Sequence, residues 1–198
     1  MRHLVIATTN KNKQRELEKL LKGLKVKVSN LSDLDTGVPH IIEDGRTFRQ
    51  NAIKKALTFS RYIEGLILAD DSGLKVDALG GKPGVRSSRF AHNRATDKEN
   101  NAKLLKLTKN TPVTKRDATF VCVIAVAEGG NLLGISEGKC SGKIGFEPKG
   151  KNGFGYDPLF TPKGYKKTFA ELKPEVKNTI SHRARALKGA KPIVRKYL

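Results

Sequence analysis

The stretch LVIATTNKNKQRELEKLLKG, Leu4–Gly23, decides the fold of this protein. Its first residues, Leu4–Thr8, are mostly apolar and predict a buried β-strand. The following segment, Asn12–Gly23, carries leucines at helical spacing and ends on a glycine, which predicts an amphipathic α-helix. A buried strand that passes through a short polar turn into a helix is typical of α/β proteins. We therefore expect a sheet covered by helices.

The rest of the chain continues this alternation and then adds a hairpin. The predicted elements are a strand at Val26–Val28, a loop at Leu31–His40, a helix at Thr47–Ile63, a strand at Leu66–Ala69 that ends at Asp70, a loop at Leu79–Arg89, a helix from Thr96 to about Leu107, strands at Thr119–Ala127 and Leu132–Glu137, a loop at Gly145–Gly155 and a helix from about Ser181 towards Lys196. This order predicts an α/β fold with a mixed central sheet and flanking helices, formed by residues 1–198 as a single domain.

Length and composition exclude several classes of protein. The 198 residues are 37% hydrophobic, which is enough for a core without disulfides or a structural metal. The longest apolar run, Val121–Ala127, is far shorter than the roughly 20 residues of a membrane helix. The apolar part of Met1–Ala7 is too short for a signal peptide. Cys122 and Cys140 lack metal-ligand spacing and fit a reducing cytoplasm. We expect a cytoplasmic protein without a membrane span, a disulfide scaffold or a zinc finger.

The net charge indicates an anionic partner. Thirty-nine Lys and Arg against 19 Asp and Glu give a net charge of +20. This balance favours nucleic acid, an anionic membrane surface or a phosphorylated small molecule. The basic residues are spread along the chain, without a consecutive block and without interleaved aromatic residues. A solvated, soluble surface is therefore the favoured explanation of the excess, and a phosphate-rich ligand or nucleic acid is the alternative.

The turn Thr8–Lys13 is a candidate phosphate site. A turn between a strand and a helix directs backbone N–H groups and the positive end of the helix dipole at one point. Thr8, Thr9 and Asn10 add side-chain donors, and Lys11 adds positive charge, as does Lys13. The pattern of a Walker loop is absent. The alternative is an ordinary helix cap with two solvated lysines.

Two acidic turns are candidates for metal binding or base catalysis. Asp70-Asp71-Ser72-Gly73 follows an apolar strand, and adjacent strand residues face opposite sides, so that one carboxylate can point into a given site. A carboxylate there can hold a hard divalent ion or act as a base towards water. Glu43-Asp44-Gly45 precedes a basic helix, and Glu43 could complete a magnesium site. The alternatives are a plain turn for the first segment and a partner of the helix dipole for the second.

Two further segments could contact a nucleotide base. Gly153-Phe154-Gly155-Tyr156-Asp157-Pro158 places a ring between two glycines, which let the backbone approach a flat group that the ring could stack on. Ser181-His182-Arg183, preceded by Lys177, offers donors to a carbonyl or a phosphate at a helix start. The alternatives are a glycine-rich turn with buried aromatics and a surface pair on the last helix.

Together and in this order, the segments resemble the inosine triphosphatase family, the non-canonical purine nucleoside triphosphate pyrophosphatases. The resemblance covers essentially the whole chain. It rests on Thr8–Lys13, Glu43–Phe48, Asn51-Ala52, Ala69–Leu74, Leu79–Gly84, Gly153–Pro158 and Ile180–Arg183. Each motif alone is weak, and seven in the family's order are specific. Three places depart from the family's pattern. Gln50 stands where the family usually has Glu, Thr9 stands where many members have Gly, and Lys151 and Asn152 replace the small residues common before Gly153.

The resemblance implies both a fold and a reaction. The fold is an elongated, two-lobed α/β unit with a substrate cleft between the lobes, and the protein is a homodimer. The reaction is the magnesium-dependent hydrolysis of inosine, deoxyinosine and xanthosine triphosphates (ITP, dITP and XTP) to the monophosphate and pyrophosphate. Water attacks the α-phosphorus directly, and no specific nucleic-acid binding or membrane partner is expected.

The resemblance also implies roles for individual residues. The residues that cradle the triphosphate are Thr8, Thr9, Asn10, Lys11, Asn12 and Lys13, and Lys55 faces the phosphates. Glu43 and Asp71 bind Mg²⁺, and Asp71 is the general base. The residues that contact the nucleotide are Ser72, Phe154, Gly155, Tyr156, Asp157, Lys177, His182 and Arg183.

Two other functions remain open from the sequence. The first is a septum-formation-inhibitor type of pyrophosphatase, related in fold and acting on pyrimidine or modified nucleotides. The second is a basic nucleic-acid-binding module, whose affinity would fall steeply with salt. The segments Phe154–Asp157 and Ser181–Arg183 favour the purine enzyme over the first, and the acidic turns speak against the second.

Overall fold

The computed structural model describes residues 3–34, 39 and 41–198. Its strands are β1 (His3–Ile6), β2 (Lys27–Asn30), β3 (Leu66–Val76), β4 (Asp117–Glu128), β5 (Asn131–Ile144) and β6 (Phe160–Pro162). Its α-helices are α1 (Lys11–Leu21), α2 (Phe48–Phe59), α3 (Asp97–Leu107), α4 (Pro174–Ile180) and α5 (His182–Lys196). None of these helices combines the length and the apolar character that a membrane crossing requires.

The described strands form one mixed six-stranded sheet in the order β2-β1-β3-β4-β5-β6. Strand β1 pairs in parallel with both β2 and β3, and Leu4 lies opposite Val28 on one side and Leu66 on the other. Strand β6 pairs antiparallel with the end of β5. The β4–β5 hairpin, which the sequence predicted, turns through Gly129 and Gly130, both with positive φ. The expectation of an α/β fold around a mixed sheet is confirmed.

The chain divides into two compact units. The first comprises Met1–Asp71, Cys122–Gly138 and Arg183–Leu198, and the second comprises Ser72–Val121 and Lys139–His182. Each unit has its own apolar core. The core of the first unit includes Leu4, Ile6, Leu17, Leu21, Leu66, Leu68, Ile124 and Leu187. The core of the second unit includes Leu74, Val76, Leu104, Phe120, Ile144, Phe160, Phe169 and Leu172.

The helices begin where the sequence supplies caps. The Asn10 side chain accepts hydrogen bonds at the start of α1. Thr47 and Thr96 cap α2 and α3 in complete capping boxes. In the second box the Glu99 carboxylate accepts from the backbone N–H and the hydroxyl of Thr96, which lowers the pKa of Glu99 to about 2. These local signals explain why the helix starts follow the sequence prediction closely.

Strand β3 corrects the prediction that the strand ends at Ala69. It continues through Asp70 and Asp71 to Val76. The composition of this stretch is typical of a turn, but packing against Ser87 keeps it extended. Gly73 lies so close to Ser87 that a Cβ on Gly73 would be 2.3 Å from Ser87 Oγ. The Ser87 hydroxyl accepts a hydrogen bond from the backbone N–H of Leu74 at 2.9 Å. The glycine therefore permits a close approach in an extended strand.

Other boundaries also differ from the prediction. Helix α2 ends at Phe59 rather than near Ile63, because Ser60 Oγ donates to Leu57 O and accepts from Gly130 N in the β4–β5 turn. Helix α4 and strand β6 were not predicted, since both are short. The predicted loop at 31–40 begins with a 3₁₀ turn at Leu31–Asp33, and its residues 35–38 and 40 lie outside the described residues.

We expect Leu17→Ala to lower the free energy of unfolding by about 2–5 kcal/mol, because it opens a cavity in a core with little freedom to collapse. Leu17 is fully buried on α1, in the core of the first unit. The control is Leu107→Ala, where the leucine is 50% exposed. That change should stay within about 0.5 kcal/mol. Urea unfolding measures both, and equal losses would contradict the assignment of Leu17 to the core.

Candidate active site

The strand-to-helix turn from Thr8 to Lys13 is built around Asn10. Its Oδ1 accepts hydrogen bonds from the backbone N–H groups of Asn12 and Lys13 at 3.0 and 3.1 Å. These two N–H groups therefore belong to the helix cap. Gln14, which the sequence did not single out, donates from Nε2 to Thr8 O at 2.7 Å. The turn is thus held in shape from within, at the positive end of α1.

A cavity of about 490 Å³ opens beside this turn in the first unit. Five of the predicted site residues line it: Thr8, Thr9, Lys11, Glu43 and Lys55. The other lining side chains include Gln14 and Ser32. The cavity therefore combines hydroxyls, two lysines and one carboxylate.

Lys55 is the buried cation of this cavity. Its Nζ donates to Glu43 Oε1 at 2.7 Å and to the backbone O of Asp70 at 2.6 Å. Burial alone would lower the pKa of Lys55, but the negative charges of Asp70, Glu43 and Asp71 outweigh it and raise the pKa. Lys55 is therefore a permanently charged group among carboxylates.

Asp71 is buried and is held by an amide. Its Oδ2 accepts a hydrogen bond from Asn51 Nδ2 at 2.9 Å, and Asn51 Oδ1 accepts from the backbone N–H of Gly45 at 2.8 Å. Asn51 thereby links the acidic turn Glu43-Asp44-Gly45 to Asp71. Burial raises the pKa of Asp71; the nearby lysines oppose this shift and Glu43 adds to it. A carboxylate with a raised pKa accepts a proton more readily than an exposed one.

Asp70 lies in a different environment from its neighbour. It is fully buried, and its Oδ2 lies 3.1 Å from Lys13 Nζ and 3.6 Å from Arg183 Nη2. Burial opposes ionisation, but Lys13, Arg183 and Lys55 lower the pKa of Asp70 well below its usual range. The Arg183 guanidinium also pairs with Glu16 of α1, a residue that the sequence analysis missed. The two aspartates thus have different partners, as strand alternation predicts.

In the second unit, two predicted site residues, Phe154 and Lys177, converge on Asp157. Its Oδ2 accepts from the backbone N–H of Phe154 at 2.9 Å and pairs with Lys177 Nζ, which lies 5.1 Å from the centroid of the Phe154 ring. Gly153 has a φ of +73°, and a Cβ there would lie 2.0 Å from Asp157 Oδ2. The glycine is therefore required by close approach as well as by its backbone conformation.

The remaining predicted residues are placed as follows. Tyr156 is buried and donates from its hydroxyl to Ser87 O at 2.9 Å. The His182 ring stacks on Phe120, with centroids 4.7 Å apart and an interplanar angle of 9°. Ser72 is half-buried in β3. His182 and Arg183 are both buried, so the alternative of a surface pair on the last helix is wrong.

Gln50, where the family usually has Glu, serves as a helix cap. Its Oε1 accepts from the backbone N–H groups of Arg46 and Thr47 at 2.8 and 3.1 Å. A glutamate carboxylate could accept the same two bonds. In this structure the side chain stabilises the start of α2 and is exposed.

Fold and site together define an α/β protein whose first strand-to-helix junction borders a cavity lined by hydroxyls, two lysines and one carboxylate. The sequence matches the Ham1 family over residues 4–193. It is 52% identical to a dITP/XTP pyrophosphatase of Desulforamulus reducens over 191 residues, which cover 96% of this chain and 94% of the relative. A dITP/XTP pyrophosphatase of Shouchella clausii is 47% identical over 194 residues, covering 98% and 97%. A solved HAM1 protein from Coxiella burnetii has a TM-score of 0.88 at 41% identity, covering 99% of this chain and all of that one. The chain belongs to the Ham1 family.

This membership confirms the resemblance found in the sequence. The family matched is neither the septum-formation-inhibitor type nor a nucleic-acid-binding module. The relatives also match almost their whole length, so the seven motifs are parts of one continuous similarity.

We expect Asp70→Asn to lower the free energy of unfolding at pH 7 by about 3 kcal/mol, because it leaves buried cations without their counter-charge. Asp71→Asn is the matched control and should cost less than about 1 kcal/mol, since burial already disfavours the Asp71 charge. Denaturant unfolding of the two variants measures the difference.

The same pair of variants gives a pH dependence with a defined sign. Folding lowers the pKa of the Asp70 carboxyl. The ionised carboxylate therefore contributes fully to the free energy of unfolding above its pKa in the unfolded chain, about 3.9, and this contribution is lost as the pH falls through its pKa in the folded protein. The difference in the free energy of unfolding between wild type and Asp70→Asn should therefore shrink below about pH 4. A gap that grew on acidification would contradict the ion pairs of Asp70.

Proposed function

We propose that this protein hydrolyses non-canonical purine nucleoside triphosphates, ITP, dITP and XTP, to the monophosphate and pyrophosphate. The observation that carries the proposal is the charged Lys55, which is surrounded by carboxylates and borders a cavity lined by Thr8, Thr9 and Lys11. The dITP/XTP pyrophosphatases to which the chain is similar support the choice of substrate. Removal of such nucleotides cleanses the nucleotide pool.

The triphosphate binds at the turn Thr8–Lys13. The positive end of α1, the hydroxyls of Thr8 and Thr9, and the ammonium groups of Lys11 and Lys13 supply hydrogen bonds and charge. Asn10 shapes the turn, as its cap bonds support, and Asn12 belongs to the same cradle. A phosphoryl transition state needs charge neutralisation and alignment more than covalent chemistry, and this set of residues supplies both.

Asp71 activates the attacking water. The water oxygen forms a bond to the α-phosphorus, its proton passes to the Asp71 carboxylate, and the α–β anhydride bond breaks to release pyrophosphate. The raised pKa of Asp71 favours this transfer, and the bond from Asn51 fixes the carboxylate. Lys55 faces the phosphates and balances the charge of the carboxylates around it.

Glu43 and Asp71 are the residues that would hold Mg²⁺. Their oxygen donors suit this hard ion, and Glu43 raises the pKa of Asp71, so the two carboxylates repel one another in a way that a cation relieves. Among the residues that the structure describes, no group of three His, Cys, Asp or Glu is arranged as a complete metal cage. Two carboxylates fit Mg²⁺ nonetheless, because it commonly takes its other ligands from water and substrate phosphates. The bound ion would neutralise phosphate charge.

The base is bound by the residues gathered around Asp157 and at the start of α5. The Phe154 ring stacks on the purine, and Ser72, Gly155, Tyr156, Asp157 and Lys177 complete the nucleotide contacts. His182 and Arg183 donate towards the 6-oxygen that inosine and xanthosine carry. Adenine has an amino group there, which would meet donors without an acceptor.

The proposal includes a homodimer in the cytoplasm. Several large apolar side chains are exposed and available to a subunit interface, namely Ile42, Tyr62, Val113 and Phe146. Cys122 and Cys140 are buried free thiols, which suits a reducing compartment.

We expect magnesium-dependent release of pyrophosphate from ITP, dITP and XTP, with ATP and GTP much poorer substrates. Donors at the 6-position reject the amino group of ATP, because buried polar groups are left unpaired. GTP shares the 6-oxygen, so its rejection must come from a clash or a missing acceptor near its 2-amino group. Pyrophosphate is measured for a panel of triphosphates with Mg²⁺ and with a chelator. Equal rates on all purine triphosphates, or orthophosphate as the only product, would contradict the proposal.

We expect Asp71→Asn to reduce kcat by at least about 100-fold, within the range that a general base contributes. An amide can neither take the proton of water nor neutralise a metal ion as a carboxylate does. Asp70→Asn is the control, and its kcat per folded molecule should fall less, because Asp70 pairs with Lys13 and Arg183 instead. The reverse order of the two losses would assign the base to Asp70.

A further inference from the structure

Helix α3 bonds to two loops through neighbouring buried asparagines. Asn100 Oδ1 accepts from Ala91 N at 2.8 Å, and its Nδ2 donates to Ser88 O at 3.1 Å. Asn101 Nδ2 donates to the backbone O of Gly155 at 3.0 Å. Each asparagine thus holds a different segment of the second unit, and Asn101 holds the one that contains Phe154.

Gly155 is held at both of its backbone polar groups. Asp97, in the first turn of α3, accepts from the Gly155 N–H at 2.7 Å, while Asn101 donates to the carbonyl. On the other side of Phe154, Asp157 accepts from the Phe154 N–H at 2.9 Å. The peptide groups before and after the Phe154 side chain are therefore both fixed by side-chain hydrogen bonds.

This segment needs external support because glycine flanks it on both sides. Gly153 and Gly155 have φ of +73° and +61°, and glycine loses more conformational freedom on ordering than any other residue. A ring that must lie flat against a base gains affinity when its backbone is already ordered before binding. The bonds from α3 supply that order.

The side chain of Asn101 is retained at a cost. It is 7% exposed, and its Oδ1 has no hydrogen-bond partner among the described residues. A buried acceptor without a partner is unfavourable, and an apolar side chain would avoid the cost. The asparagine is explained if its donor to Gly155 is needed.

We propose that Asn101 and Asp97 are positioning residues for the purine base. They fix the peptide of Gly155 so that the Phe154 ring is presented to the base. The inference rests on the proposed function, because it concerns how the same nucleotide is bound. Neither residue belongs to the turn Thr8–Lys13, so the two should affect affinity for the base and leave the triphosphate cradle unchanged.

The test compares two ligands, one with a base and one without. We expect Asn101→Asp and Asn101→Leu to raise KM for ITP about tenfold, the loss expected for a buried hydrogen bond, with kcat changed less than about threefold. The inhibition constant of inorganic triphosphate should stay within about twofold of wild type. Asp97→Ala should raise KM in the same way, and Asp97→Asn, which keeps an acceptor oxygen, should restore it. Asn100→Asp is the matched control, and its KM should stay near that of wild type.

The outcomes separate this inference from the proposed function. A wild-type protein that releases no pyrophosphate from ITP would overturn the proposed function. A wild type that turns over ITP, with unchanged KM in folded Asn101 and Asp97 variants, would overturn the positioning role alone. A parallel rise in the inhibition constant of inorganic triphosphate, or an equal effect of Asn100→Asp, would show that α3 merely supports the fold and would also overturn it. Thermal unfolding identifies any variant that does not fold, and the second substitution at each position then decides.

Discussion

Two adjacent buried carboxylates on one strand impose the main constraint on this structure. Asp70 and Asp71 are buried side by side in β3, where a charge without partners is very unfavourable. Strand geometry directs them to opposite sides, so that one set of cations cannot serve both equally. Lys13 and Arg183 serve Asp70 and lower its pKa, while Asp71 receives an amide from Asn51 and keeps a raised pKa. One strand thereby carries one carboxylate with a lowered pKa and one carboxylate with a raised pKa.

The surrounding helices are arranged to meet this constraint. Lys13 comes from α1, Lys55 from α2 and Arg183 from α5, and all three charges act on Asp70. Glu16 on α1 pairs with Arg183, so that two carboxylates, Glu16 and Asp70, balance this guanidinium. The packing of the first unit is therefore tied to the electrostatics of the proposed phosphate site. A triphosphate would bind where the cations are already oriented, which reduces the cost of ordering them.

Features that depend on neighbouring residues were predicted from the sequence, and features that depend on contacts between distant residues were missed. The strand and helix of Leu4–Gly23 and the caps of α2 and α3 follow from neighbouring residues. The continuation of β3 through Gly73 depends on Ser87, which no local pattern reveals. Glu16 and Asn101 were missed because a polar residue in a helix gives the same signal whether it faces water or a buried partner. The one available signal was the position of a polar residue among the apolar residues of the helical repeat, where a buried partner is more common than water.

The net charge of +20 is the most unusual feature of the composition, yet it does not predict which residues form the candidate site. Three of the four buried Lys and Arg side chains that the structure describes pair with carboxylates: Lys55 with Glu43, Lys177 with Asp157, and Arg183 with Glu16 and Asp70. The fourth, Arg116, donates to backbone carbonyls and to Thr108. The excess therefore resides on other, mostly exposed side chains, where a solvated surface accounts for it. What carries the functional information is the spacing of a few acidic residues, because in a basic chain each buried carboxylate determines which lysine or arginine is fixed and in what orientation.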